Sequence, residues 1–205
     1  MTEEEWLKCA DPHPMLEFLR ARASDRKLRL FAVACSRRIW PWIDALGRAA
    51  VETAERFADG LASPEELRAA RLACKGASGQ ASWYSAASNP AIAARNAARS
   101  AQAGAADNPL IGAGETELRA QAALLRDIFG PIAFRPLCPD RTWVGTTLVE
   151  LTQAIYDEGA FERLSDLAGA VEQAGCRDSD VLAHCRQPEP HARGCWVVDM
   201  IVGKE

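Results

Sequence analysis

SDRKLRLFAVACSRRIW, residues 24–40, decides the fold class. Ser24 or Asp25 supplies an N-cap, because a short oxygen-bearing side chain can accept from the unpaired N–H groups of a first helical turn. Leu28, Phe31, Ala32, Cys35 and Ile39 then recur at the spacing of one helical face. Pro41 ends this helix or begins the next, whose Ile43, Leu46, Ala50, Val51, Ala54 and Phe57 repeat the pattern as far as Gly60. Two consecutive amphipathic helices make a packed helical layer the natural reading.

Upstream, Thr2 with Glu5 forms a capping box for a short helix through Trp6 and Leu7. Asp11-Pro12-His13-Pro14 resets the chain before a helix from Met15 to Arg22. Downstream, Ser63-Pro64-Glu65-Glu66 combines an N-cap, a proline at the first helical position and a glutamate at the third, which predicts a helix to about Cys74.

Residues 75–113 differ in composition, since fourteen of them are alanine and glycines punctuate the stretch. Alanine favours helix but buries little area, so a loosely packed helix over Ala91–Ala103 between mobile loops, or partial disorder, is expected. Beyond Glu115, Leu118, Ala122, Leu125, Ile128 and Phe129 form an apolar stripe that Gly130-Pro131 ends. A crossing loop at 131–145 precedes helices at Thr146–Glu158, Phe161–Ala174, around Val181-Leu182, and at Cys195–Val202. No Asn-Gly or Asp-Gly turn sits between alternating apolar runs. The expectation is an all-α domain of seven to nine helices. It has an N-terminal helical part (1–74), an Ala/Gly-rich variable segment (75–114) and a C-terminal helical part (115–205).

Composition excludes several classes. The 205-residue chain is 48% hydrophobic and carries a net charge of −4, too mild to imply membrane attachment or a polyanion partner. No apolar run approaches the roughly 18–20 residues of a membrane span. The acidic start Met1-Thr2-Glu3-Glu4-Glu5 is unlike a secretion signal, so a cytoplasmic setting is expected. Seven cysteines, an odd number, suggest buried thiols rather than a disulfide framework.

Four stretches carry a resemblance: Ala23–Trp40 (ASDRKLRLFAVACSRRIW), Leu124–Leu137 (LLRDIFGPIAFRPL), Gln153–Cys176 (QAIYDEGAFERLSDLAGAVEQAGC) and Leu182–Glu205 (LAHCRQPEPHARGCWVVDMIVGKE). In these stretches and their order the chain resembles a multi-copy family of uncharacterised proteins in planctomycete bacteria. The resemblance implies no activity, ligand or catalytic residue. Two departures are Cys35-Ser36, where family members often have Cys-Cys, and Pro188-Glu189-Pro190-His191-Ala192-Arg193, where they often have Pro-Gly-Pro-His-Val-Arg.

The reactive side chains concentrate at the C-terminus. Cys176, Cys185, His191 and Cys195 supply thiolate and imidazole, the ligand types zinc accepts, with His184 beside them. Their spacing lacks the tight Cys-x2–4-Cys knuckle of structural zinc sites, and His184 and Cys185 are too close in sequence for both to reach one ion easily. Buried thiols and loop histidines are the plainer explanation. Cys195 could instead open a helix, where free N–H groups lower a thiol pKa, with His191 as base and Asp199 on the same face.

The second cluster is basic: Arg20, Arg22, Arg26, Lys27, Arg29, Arg37 and Arg38, opposed locally by Asp25 alone. It suits phosphate or nucleic acid, with Trp40 or Trp42 stacking on bases. The alternative is a solvated helix face on which Glu52, Glu55 and Asp59 neutralise Arg26, Arg29 and Arg37. Trp40-Pro41-Trp42 cannot easily bury both rings on one face, and an exposed ring there would anchor a protein partner. With no Walker loop, no Gly-x-Gly-x-x-Gly and no assembled catalytic set, the favoured expectation is a non-enzymatic helical protein. It would act by protein interaction through Trp40, Trp42, Arg37 and Arg38, with no cofactor. Zinc binding and polyanion binding are the alternatives.

Overall fold

The helix-capping signals are realised almost one for one. The computed structural model describes residues 1–75, 84–87, 89–106, 114–134, 141–188 and 191–204. Among them are eleven α-helices and no strand. They are α1 (Glu3–Lys8), α2 (Pro12–Leu19), α3 (Asp25–Arg38), α4 (Ala45–Ala58), α5 (Pro64–Ala73), α6 (Pro90–Ala106), α7 (Gly114–Phe129), α8 (Thr146–Glu158), α9 (Leu164–Gln173), α10 (Ser179–Arg186) and α11 (Trp196–Val202). The count exceeds the expected seven to nine, and four of the eleven helices are only six to eight residues long.

The capping boxes at Thr2/Glu5 and Ser63/Glu66 are both present. Ser24 caps α3 by accepting from the Lys27 N–H. Asp11 caps α2, which starts at Pro12, ahead of the expected Met15. Asp44 caps α4, so Ile43 precedes the helix and Leu46, read as part of its apolar stripe, is 54% exposed. The expected loop after Gly130 contains two 3-10 turns, Gly130–Ala133 and Arg141–Trp143.

The chain packs as two units, Met1–Leu125 and Arg126–Glu205, the division falling inside α7. In the first, α3 is packed on α4 and, most extensively, on the alanine-rich α6. The expectation of loose packing for α6 is therefore corrected. Ala93, Ala94, Ala97, Ala98 and Ala101 are all fully buried. Small side chains let two helix backbones approach closely, so dispersion contacts replace the area that alanine lacks. The mobile loops expected on either side fall largely at residues 76–83 and 107–113, outside the described residues.

In the second unit α8, α9, α10 and α11 enclose a core of Leu148, Ile155, Tyr156, Leu167, Val171 and Val198. Arg193 donates to the Tyr156 carbonyl at 2.8 Å and lies 4.4 Å above the Tyr156 ring, tying the segment before α11 to α8. Cys35, Cys74, Cys176, Cys185 and Cys195 are buried free thiols, as expected, and Cys9 is half-buried; Cys138 lies outside the described residues.

Candidate metal centre

Four side chains meet inside the second unit. Asp127 stands in the last turn of α7, His184 on α10, His191 in the segment between α10 and α11, and Cys195 at the N-cap of α11. Asp178 starts α10 by accepting from the Asp180 and Val181 N–H groups. Gly194, at φ +96°, makes the left-handed turn that delivers Cys195.

One ligand atom from each residue lies within 4.8 Å of every other. His184 Nε2 is 3.1 Å from Asp127 Oδ1 and 3.2 Å from Cys195 Sγ. His191 Nδ1 is 2.6 Å from the same Asp127 oxygen. The Ala192 N–H donates to Asp127 Oδ2 at 2.8 Å, which fixes the second carboxylate oxygen. Asp127, His184 and Cys195 are buried, and the side chain of His191 is 6% exposed.

Burial raises the Asp127 carboxyl pKa, but hydrogen bonds and charge from His184 and His191 outweigh it and hold the carboxyl below its usual value. Asp127 also sits at a helix C-terminus, where the backbone dipole disfavours a negative charge. Its hydrogen-bond partners supply no permanent cation. His191 turns Nδ1 to Asp127, and Nε2, across the ring, is buried with no hydrogen-bond partner.

Ligand atoms bonded to one zinc at about 2.0–2.3 Å stand roughly 3.2–3.8 Å apart in a tetrahedron. The observed 3.1 and 3.2 Å separations are close to that, and the 2.6 Å contact opens by about an ångström to admit an ion. The donor set, two nitrogens, one oxygen and one sulfur, suits zinc, cobalt or ferrous iron better than magnesium or calcium.

A thiol-enzyme triad is a poorer fit. In such a relay the base uses one ring nitrogen toward the thiol and the other toward the carboxylate. Here the same His184 nitrogen faces both Cys195 and Asp127. The lowered thiol pKa expected for Cys195 is also corrected. Burial first, and then the Asp127 charge, push it well above its ordinary value, against the lowering by the Val198 and Val197 N–H groups.

Of the four metal ligands expected from the sequence, His191 and Cys195 enter the group, joined by His184 and Asp127. Cys176 and Cys185 do not. Both are buried in the apolar core of the second unit, and burial pushes the Cys185 thiol up to about 12. His184 and Cys185 are neighbours on α10, about 100° apart around the helix, so only one faces the cluster. Asp199 is buried on α11 outside the group.

The basic stretch is largely committed to internal partners. Arg26 meets Asp59 at 2.9 Å, Arg37 meets Glu55 at 2.6 Å and Arg38 meets Glu117 at 2.8 Å. Arg29 does not project into solvent as expected. It is 3% exposed, donates to the Ser85 and Ala87 carbonyls, and covers the Phe57 ring. Lys27 is buried too. Trp40 is half-buried against the core of α4 and α5, with Arg37 and Arg48 against its ring, whereas Trp42 is 42% exposed.

Comparisons with protein-family models, curated proteins and solved structures find no match. Among the described residues, no helix is long and apolar enough to cross a membrane.

Proposed function

We propose that this is a metal-binding helical protein, whose second unit holds one zinc-class divalent ion on Asp127, His184, His191 and Cys195. The observation that carries the reading is the convergence of four ligand atoms of different types within 4.8 Å in a buried cluster. The absence of a permanent cation among the Asp127 hydrogen-bond partners supports it. Burial of all four ligands suits a closed, structural ion rather than one that exchanges substrate. The ion would fasten α7, α10 and the start of α11 together, with the thiolate and carboxylate neutralising its charge. All four ligands fall within the stretches that carry the resemblance described above.

The test is elemental analysis of freshly purified protein, with cobalt substitution. About one zinc per chain, and cobalt bands that include a thiolate charge transfer lost in Cys195→Ser, are expected. No metal uptake by wild-type protein overturns the reading.

A protein partner at the start of α4 is a second reading, favoured by the exposure of Trp42 and Leu46. Loss of a specific partner on Trp42→Ser, without unfolding, is its test. Polyanion binding has less support, because Arg26, Arg37 and Arg38 are ion-paired and Lys27 and Arg29 are buried.

A further inference from the structure

Resting on the metal reading, we infer that Trp196 is a positioning residue for the ligand His184, and that Gly130 is glycine in order to admit it. A histidine ring turns broadly about its last torsion, so neighbours must decide where its nitrogens point. Two rings do so here. The Trp196 indole lies 5.2 Å from the His184 ring, tilted by 50°, and the His191 ring meets it edge-on at 4.9 Å. His191 is itself a ligand in this reading, which leaves Trp196 as the aromatic wall outside the ligand set. Turning the His184 ring away from the indole takes Nε2 off Asp127 and Cys195 together, since that one nitrogen faces both.

The indole in turn is seated against Gly130. A Cβ at Gly130 would stand 2.5 Å from Trp196 Cδ1 and 2.6 Å from Cγ, closer than any real contact. Gly130 also has φ +48°, where a side chain is strained. It follows Asp127 by three residues, and Trp196 follows Cys195 by one. The glycine–indole contact therefore joins the backbone that carries Asp127 to the backbone that carries Cys195, while the ring face orients His184. Three of the four ligands depend on it. Residues that orient ligands in this way commonly contribute about 10–100-fold to metal affinity.

The test compares Trp196→Phe, which keeps a ring face, with Trp196→Met, which fills the space without one. Zinc affinity is read by competition with a chromophoric chelator, geometry by the cobalt spectrum, and metal-free stability by urea denaturation. Trp196→Phe should bind zinc within a few-fold of wild type. Trp196→Met should bind about 10–100-fold more weakly, with shifted and weakened cobalt bands. Gly130→Ala, which displaces the indole without deleting it, should shift the bands in the same way and serves if the methionine variant does not fold. Wild-type affinity and an unchanged cobalt spectrum in Trp196→Met overturn the inference while leaving the metal site standing. So does weaker binding that only tracks lost stability, with unshifted bands. Wild-type protein that takes up neither zinc nor cobalt overturns both.

Discussion

Each unit buries a carboxylate, and the two are satisfied in opposite ways. In the first, Glu117 is 0% exposed and meets the Arg38 guanidinium at 2.8 Å, while the Gln121 amide donates to it at 2.8 Å and to the Ala98 carbonyl at 3.0 Å. In the second, Asp127 meets two imidazoles and one backbone N–H. A guanidinium is a permanent cation, so the charge of Glu117 is answered by an internal ion pair, while Gln121 Oε1 beside it is buried without a hydrogen-bond partner. Imidazoles and a thiol carry lone pairs instead, and the charge of Asp127 then calls for protons or for a metal. The residues that face a buried carboxylate, more than its burial, decide whether the cluster is structural glue or a binding site.

The largest effect should come from Asp127→Ala and Glu117→Ala compared. Each leaves polar partners unanswered, and each should cost about 3 kcal/mol in urea denaturation. Only Asp127→Ala should also abolish zinc uptake; a zinc-free Glu117→Ala protein would break the contrast. Next, zinc added at about 100 times its Kd should stabilise wild-type protein by about 2.7 kcal/mol, and Asp127→Asn by nearly nothing. Equal gains in both would place the metal elsewhere.

Ala97→Leu tests the tight seam of α3 on α6. Overpacking should cost about 1–3 kcal/mol without changing zinc content. A neutral result would restore the loose packing that the alanine composition suggests.

The pH dependence has opposite signs at the two clusters. Burial first, and then Glu117, hold the Cys35 thiol well above its ordinary value. The unfolded chain ionises this thiol near pH ~8.5, so its contribution is whole below that pH and is lost as pH rises. The loss is about 1.4 kcal/mol per pH unit, and Cys35→Ala should flatten that slope between pH 8.5 and 10. Asp127 is lowered, so its contribution is present above pH ~4 and is lost as pH falls through its folded value. Acid titration of metal-free protein should show this loss in wild type and not in Asp127→Ala. The smallest effect is at the exposed ring. Trp42→Ser should change stability by no more than about 0.5 kcal/mol. A larger loss would assign Trp42 to the core.

Much of the helix inventory was legible because caps are local. Thr2, Ser24 and Ser63 each bond an N–H three residues on, within reach of a short reading window. The site was half legible. His191 and Cys195 are close in sequence, but Asp127 stands 57 residues before His184, so no spacing rule joins them. A signal was nevertheless present: a lone acid in the last turn of α7, between Leu125 and Ile128-Phe129, where both burial and the helix dipole oppose it. Cys176 and Cys185 were drawn into the expected ligand set by residue type, which carries no direction.

By itself the sequence determined what near neighbours can determine: an all-helical class, most helix starts and buried thiols. Tertiary structure alone decided that the alanine-rich α6 is buried against α3, that Arg29 is buried, and that Asp127 joins His184, His191 and Cys195. The division is physical. Capping and amphipathic periodicity act over a few residues, whereas ligand convergence depends on which faces of distant helices are turned toward each other.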